Sequence, residues 1–153
     1  MSILVWVQLN ECKYMKEYLY LSLILFFFMG NGPVILSGMP DSGEAFSDNP
    51  NVPVYNLPGT SNWTFLTEVT GVRTVLWNPL IQTGNGNFGV QNNQFGFDIT
   101  GTTNIPIVVQ ASTNLGNPVW TALTNVTLTN GLFHFSEPLQ PNTPSRYYRI
   151  SSP

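Results

Sequence analysis

An all-β chain, folded as an antiparallel β-sandwich with an irregular N-terminal lead-in, is what three features of the sequence predict. Short runs rich in Val, Ile, Phe, Thr and Tyr alternate apolar with polar residues from Val72 to the end. Asn, Gly and Pro turn signals separate these runs at close intervals. Charged residues are only 8% of the chain, against 42% hydrophobic. The core is therefore ample, and the polar surface must be carried by amides and hydroxyls rather than by charges.

Residues 1–30 form an apolar leader. Leu19 to Met29 is an almost unbroken apolar run. It is shorter than the roughly 20 residues that span a bilayer, so no stable membrane span is expected. Two readings stand. One is a signal-like segment starting at Met15, with Lys16 as its positive start and Gly30 and Gly32 as small residues for cleavage. Glu11 and Glu17 spoil that pattern, and no A-x-A site follows. The other reading is a buried strand or short helix.

Residues 31–71 form a connector, punctuated by Pro33, Pro40, Pro50, Pro53 and Pro58 and by several glycines. Val34–Leu36 and Val54–Leu57 are long enough for short strands. Asp41, Glu44 and Asp48 cluster, but their spacing does not match an EF-hand loop, so a solvated loop is expected and no metal site.

Residues 72–153 form the sandwich module, of immunoglobulin or fibronectin size. Val72–Gln82 opens it, with Pro79 demoting the second half to an edge or bulge. Gly84-Asn85-Gly86 is a turn. Phe88–Val90 and Gln94–Thr100 bracket Asn92-Asn93, which predicts a tight hairpin with Val90 opposite Phe95 and Phe88 opposite Phe97. Asp98 then lies opposite the phenylalanine face and should be solvated. Ile105, Ile107, Val109 and Ala111 alternate with Pro106, Val108, Gln110 and Ser112. Val119–Leu123 follows, with Trp120 as a core plug. Asn130-Gly131 predicts a second hairpin, pairing Val126 with Phe135 and Leu128 with Phe133. A proline-rich crossing, Pro138–Pro144, leads to a last strand, Arg146–Ser151, with Tyr148 and Ile150 on one face.

These segments carry a resemblance. F-F-M-G-N-G-P (Phe27–Pro33), V-Y-N-L-P-G-T-S-N-W (Val54–Trp63), R-T-V-L-W-N-P (Arg73–Pro79), F-G-V-Q-N-N-Q-F-G-F-D-I-T-G (Phe88–Gly101), I-V-V-Q-A-S-T-N-L (Ile107–Leu115) and R-Y-Y-R-I-S-S-P (Arg146–Pro153) occur in order. Together they resemble the C-terminal region of large secreted or surface-attached bacterial leucine-rich-repeat proteins. The resemblance implies a terminal β-sandwich following a repeat array, with Phe26–Gly32 as the last strand and exit of a repeat and Val54–Gly59 as one further strand. No L-x-x-L-x-L repeat recurs in residues 1–30, so the chain reads as the tail of a longer protein. Phe26–Met29 cannot be both a cleaved leader and a structural strand.

Chemistry is sparse. The net charge is −3, and only Arg73, Arg146 and Arg149 are basic after Lys16, which argues against nucleic acid. Cys12 is the single cysteine and His134 the single histidine, too few for a zinc site. A Ser-His-Asp triad would need His134 with an acid such as Asp98, and no G-x-S-x-G elbow accompanies it. Asp98 and Glu137 are the only acids of the module, Glu137 in a turn before Pro138. Gly84–Gly89 opens no helix and is followed by no lysine, so it is a turn rather than a phosphate loop. No catalytic residue, cofactor or metal is assigned, and the chain is read as not an enzyme.

Aromatics are the remaining lead. Trp63 lies in T-S-N-W-T close to Tyr55, and an exposed indole there could stack on a sugar, though large aromatics usually bury their area. The expected function is a non-catalytic, extracellular or cell-surface module with a structural or display role, its partner an adjacent domain of a longer chain or other surface proteins. The alternative is a small carbohydrate-binding module, with polysaccharide as ligand on Trp63 and Tyr55. A weaker alternative is a C-terminal secretion or sorting domain.

Overall fold

The computed structural model describes residues 26–28, 30–32, 52–140 and 145–153. Cys12, most of the apolar leader, Val34–Leu36, the Asp41–Asp48 acidic cluster and residues 141–144 lie outside them. Over the described residues the fold is all-β with one short helix, and the chain divides into two compact units at Trp77–Asn78.

In the first unit, strands β1 (Phe26–Phe28), β2 (Val54–Asn56) and β3 (Thr74–Leu76) form a parallel sheet. Helix α1 (Trp63–Thr70) makes the crossover between β2 and β3, as parallel neighbours require. Nothing in W-T-F-L-T-E-V-T advertises a helix by propensity. Its ends explain it better. Asn62 precedes it at φ 67, and Gly71 closes it at φ 72, donating its N–H to the Thr67 carbonyl at 2.8 Å. Thr67 and Thr70 bond back to the carbonyls of Trp63 and Leu66. Trp63 and Leu66 share one face and are buried, as are Val54, Tyr55 and Val72. Burial of that face holds a helix too short to stand alone.

The second unit contains two antiparallel sheets. One has β6 (Gln94–Thr100) at its centre. β9 (Leu132–Pro138) pairs along the whole of one side. β4 (Leu80–Gln82) and β5 (Gly89–Gln91) share the other. The second sheet runs β10 (Tyr147–Ser151), β7 (Pro106–Ser112), β8 (Thr121–Thr127), with β7 central and Ile107, Val109 and Ala111 buried along it. Pro106 is tolerated in a central strand because it is the first residue. Tyr148 of the second sheet stacks on Phe95 of the first at 5.0 Å between ring centroids, and meets Phe97 at 5.6 Å and Phe135 at 5.9 Å.

The Asn92-Asn93 hairpin forms with both residues at positive φ and Val90 opposite Phe95. Phe88 packs its ring against Phe95 rather than Phe97. The Asn130-Gly131 hairpin does not form. β8 pairs with β7, and β9 pairs with β6, so this turn carries the chain from one sheet to the other. Only Gly131 has positive φ, whereas a two-residue type I′ turn needs both residues there. The Gly131 N–H instead closes a four-residue turn onto the Leu128 carbonyl at 3.1 Å.

The preceding link, Gly101–Ile105, also crosses between the sheets, and the two crossings are knitted together. Gly101 donates to Gly131, Asn104 to Leu128, and Leu128 to Ile105. A Cβ on Gly131 would stand 2.7 Å from the Gly101 carbonyl oxygen, so this corner demands glycine on space as well as on φ. Ile105 and Leu128 are fully buried beneath it.

Two smaller expectations also change. The predicted strand Val72–Gln82 is two strands, β3 and β4, in different units, broken at Trp77-Asn78-Pro79. The Asn78 side chain there accepts both the Thr102 N–H and its hydroxyl. Trp120 is half-buried just before β8 rather than plugging a core, and Arg149 lies 4.3 Å over its ring.

Candidate functional site

Strand registers place the polar groups. Gln82, Asp98 and His134 stand in one cross-strand row, and Gly89, Gly96 and Ser136 in the next. Because side chains alternate across a strand, these rows share the face opposite Phe95, Phe97 and Phe135. That much follows the sequence. The solvation of Asp98 does not, since Asp98 is only 6% exposed.

The reason is the break between β4 and β5. Both pair with the same side of β6, and the chain between them loops out beside Asp98. The loop returns two amides. Asn85 Nδ2 donates to Asp98 Oδ2 at 2.6 Å, and Asn87 Nδ2 donates to the same oxygen at 2.8 Å. The Asn87 N–H bonds to Asn85 Oδ1, which fixes the loop locally. On the other side, His134 Nδ1 lies 2.6 Å from Asp98 Oδ1. The hydrogen bonds from Asn87 and His134 hold the Asp98 carboxyl below the usual aspartate range, outweighing burial, which acts the other way.

An ionised carboxylate only accepts, so Nδ1 of His134 carries the proton and Nε2 is left for solvent or a ligand. The His134 side chain is 53% exposed. Beside it Gly96 lets β9 approach β6 closely, since a Cβ there would stand 2.9 Å from the Phe135 carbonyl oxygen. The arrangement orients an imidazole. Among the described residues no hydroxyl hydrogen-bonds Nε2, so a Ser-His-Asp relay is not assembled, and no group of three or more His, Cys, Asp or Glu side chains is placed to hold a metal ion.

Glu137 faces the other way. It belongs to β9 rather than to a turn, and its register puts it opposite Phe95 on the inner face. The Arg146 guanidinium grips it with Nε and, at 2.8 Å, with Nη2, while the Tyr148 hydroxyl donates to Oε1 at 2.6 Å. Burial alone would raise the Glu137 carboxyl, yet the bonds from Arg146 and Tyr148 bring it below its ordinary value. Burial and the carboxylate push the Tyr148 hydroxyl up to about 12. This cluster ties β9 to the approach of β10, and hence one sheet to the other.

The two residues expected to offer a sugar platform are both inside the first unit. Trp63 is 6% exposed, on the core face of α1, with Nε1 donating to Thr60 Oγ1 at 2.7 Å. Tyr55 is 4% exposed in β2, and burial raises its hydroxyl. Neither ring has a free face on which a sugar could stack. What the sequence missed was the pair of asparagines in the loop. Asn85 and Asn87 read as turn formers, and nothing in one dimension shows that both amides return to Asp98.

An open hollow of about 340 Å³ lies along β9 from Phe133 to Glu137, with Leu123 and Thr124 of β8 on its far wall. No helix among the described residues is long and apolar enough to cross a membrane. No protein-family model, curated protein or solved structure matches the chain.

Proposed function

We propose that the chain closes an extracellular or cell-surface repeat protein, with a strand–helix repeat coil leading into a non-catalytic β-sandwich of structural or display role. The observation that carries this reading is the parallel ladder of β1, β2 and β3 with α1 between the last two. In register, Val54 pairs with Thr74, and the chain advances one strand and one helix between them. That advance falls in the ~20–29-residue period of leucine-rich repeats, in which each repeat contributes one strand to a parallel sheet. The coil also stacks beyond its strands. Ser61 N–H donates to the Asn31 side chain, and Gly32 N–H donates to the Ser61 carbonyl.

The facing rings of Tyr148, Phe95, Phe97 and Phe135 support the sandwich reading of the second unit. The low charge and amide-rich surface suit an exported protein. No observation favours the carbohydrate-binding alternative, since its aromatics are buried. Labelling intact cells that make the protein with a membrane-impermeant amine reagent tests the location. Modification of Lys13 or Lys16, or of an appended tag, is expected before lysis, and modification only after lysis would contradict the proposal.

A further inference from the structure

Independently of that function, we propose that the free edge of β9 pairs with β9 of a second copy of this chain, antiparallel about a two-fold axis at Phe135. Among the described residues the sheets of the second unit leave four edges: β8, β10, the β4/β5 side and β9. Natural edges are protected by bulges, breaks, shortness or charge. β4 and β5 are separated by the Asp98 loop. β8 pairs with β7 through a register shift at Val109/Gln110. β10 is five residues long and carries Arg149. β9 lacks a break, a bulge and lysine, being seven residues in unbroken register with proline only at its last position. Its two titratable side chains are engaged elsewhere, His134 by Asp98 and Glu137 by Arg146.

The hydrogen-bond phase of β9 determines what the edge offers. Gly101 donates to Gly131, and Leu139 donates to Asn93, at the two ends of the β6–β9 ladder. Bonded pairs alternate in an antiparallel ladder, so Phe133, Phe135 and Glu137 bond to β6. Leu132, His134 and Ser136 then direct N–H and C=O away from it. Among the described residues no strand pairs with them, and a hollow lined by Leu123 and Thr124 lies alongside β9.

A two-fold at Phe135 brings His134 opposite Ser136 of the second copy, so that each pair exchanges both backbone bonds. Leu132 N–H meets the carbonyl of Pro138 in the other copy, which accepts from Gln140 Nε2 at 3.3 Å within its own chain and keeps a second lone pair. The N–H that proline lacks is missed only at the two ends of the seam. Glu137 falls opposite Phe133 and His134 opposite Ser136, so no like charges are opposed. The edge is complementary to itself, and an isologous pairing closes without forming a filament.

Sedimentation of the full chain over a concentration series, under reducing conditions so that Cys12 cannot cross-link, is read together with amide hydrogen exchange. The mass is expected to double from 17.0 kDa, and the His134 and Ser136 amides to become protected as it does. Phe135 and Glu137 amides should be protected throughout. Ser136→Pro removes an outward donor without touching the β6 ladder, and it should abolish the doubled species while the circular dichroism is kept. Should that variant not fold, Ser136→Lys serves instead, because it sets two lysines roughly 7–8 Å apart across the seam and should weaken association. A monomer at every concentration would overturn the proposal. So would a dimer whose His134 and Ser136 amides exchange as fast as in the monomer, or one that survives in a folded Ser136→Pro chain or is not weakened by Ser136→Lys.

Discussion

Asp98 is held by three donors, from Asn85, Asn87 and His134, and its carboxyl is held below the ordinary range. A lowered carboxylate stabilises the fold above its unfolded-state value, and that stabilisation is lost as pH falls through the folded value. Stability should therefore decline on acidification below about pH 4, and Asp98→Asn should flatten that limb of a denaturation-versus-pH series. An unchanged acid limb would mean that the carboxylate is solvated after all. Gly131 is the second decisive residue. Its φ of 71 and the 2.7 Å approach to the Gly101 carbonyl predict that Gly131→Ala destabilises by at least roughly 1–3 kcal/mol in urea unfolding. Of these details, the outward facing of Asp98 and His134 could be read from alternation. The donors on Asp98 could not, because they come from a loop whose path depends on where β4 and β5 pair.

The elements divide into those with a local signature and those without one. β6, β7, β10 and the Asn92-Asn93 hairpin follow from alternation and turn chemistry. Asn93 sits at φ 62, so Asn93→Gly should be neutral or slightly stabilising, whereas Asn93→Val should cost about 1–3 kcal/mol in thermal or urea unfolding. Equal stability of the two variants would contradict a turn of this type. Helix α1 was hidden because its Thr, Val, Phe and Trp residues favour strands, and tertiary burial of Trp63 and Leu66 overrides that preference. Trp63→Ala should cost about 3–5 kcal/mol and melt the helix, whereas an exposed sugar-stacking indole would cost little. The partners of β8 and β9 escape the sequence for a different reason. Alternation says which side chains point inward, and it reads the same whether two successive strands pair with each other or with β7 and β6. Only the single positive φ at Gly131 separates the cases, and φ is not written in the sequence.

At the scale of the whole molecule, one unit is a parallel strand–helix coil and the other a pair of antiparallel sheets joined by aromatic rings and the Glu137–Arg146–Tyr148 cluster. The Tyr148 hydroxyl is raised to about 12 from the ordinary 10.0. A raised group stabilises the fold below its unfolded value, and that contribution is lost as pH rises through the folded value. Stability should thus fall between about pH 10 and 12, with Tyr148→Phe removing that alkaline dependence. The all-β class was legible in composition and pattern. The parallel coil was not legible from composition and pattern, because Val54–Asn56 and Thr74–Leu76 are too short to show their direction. The Asp98–His134 pair, the Gly131 corner and the β9 edge all require β9 to lie beside β6. Nuclear Overhauser effects between backbone Hα protons test this most directly. Close Hα–Hα pairs are expected for Asp98 with His134 and Gly96 with Ser136, and strong cross-strand effects linking Val126 with Phe135 and Leu128 with Phe133 would contradict it.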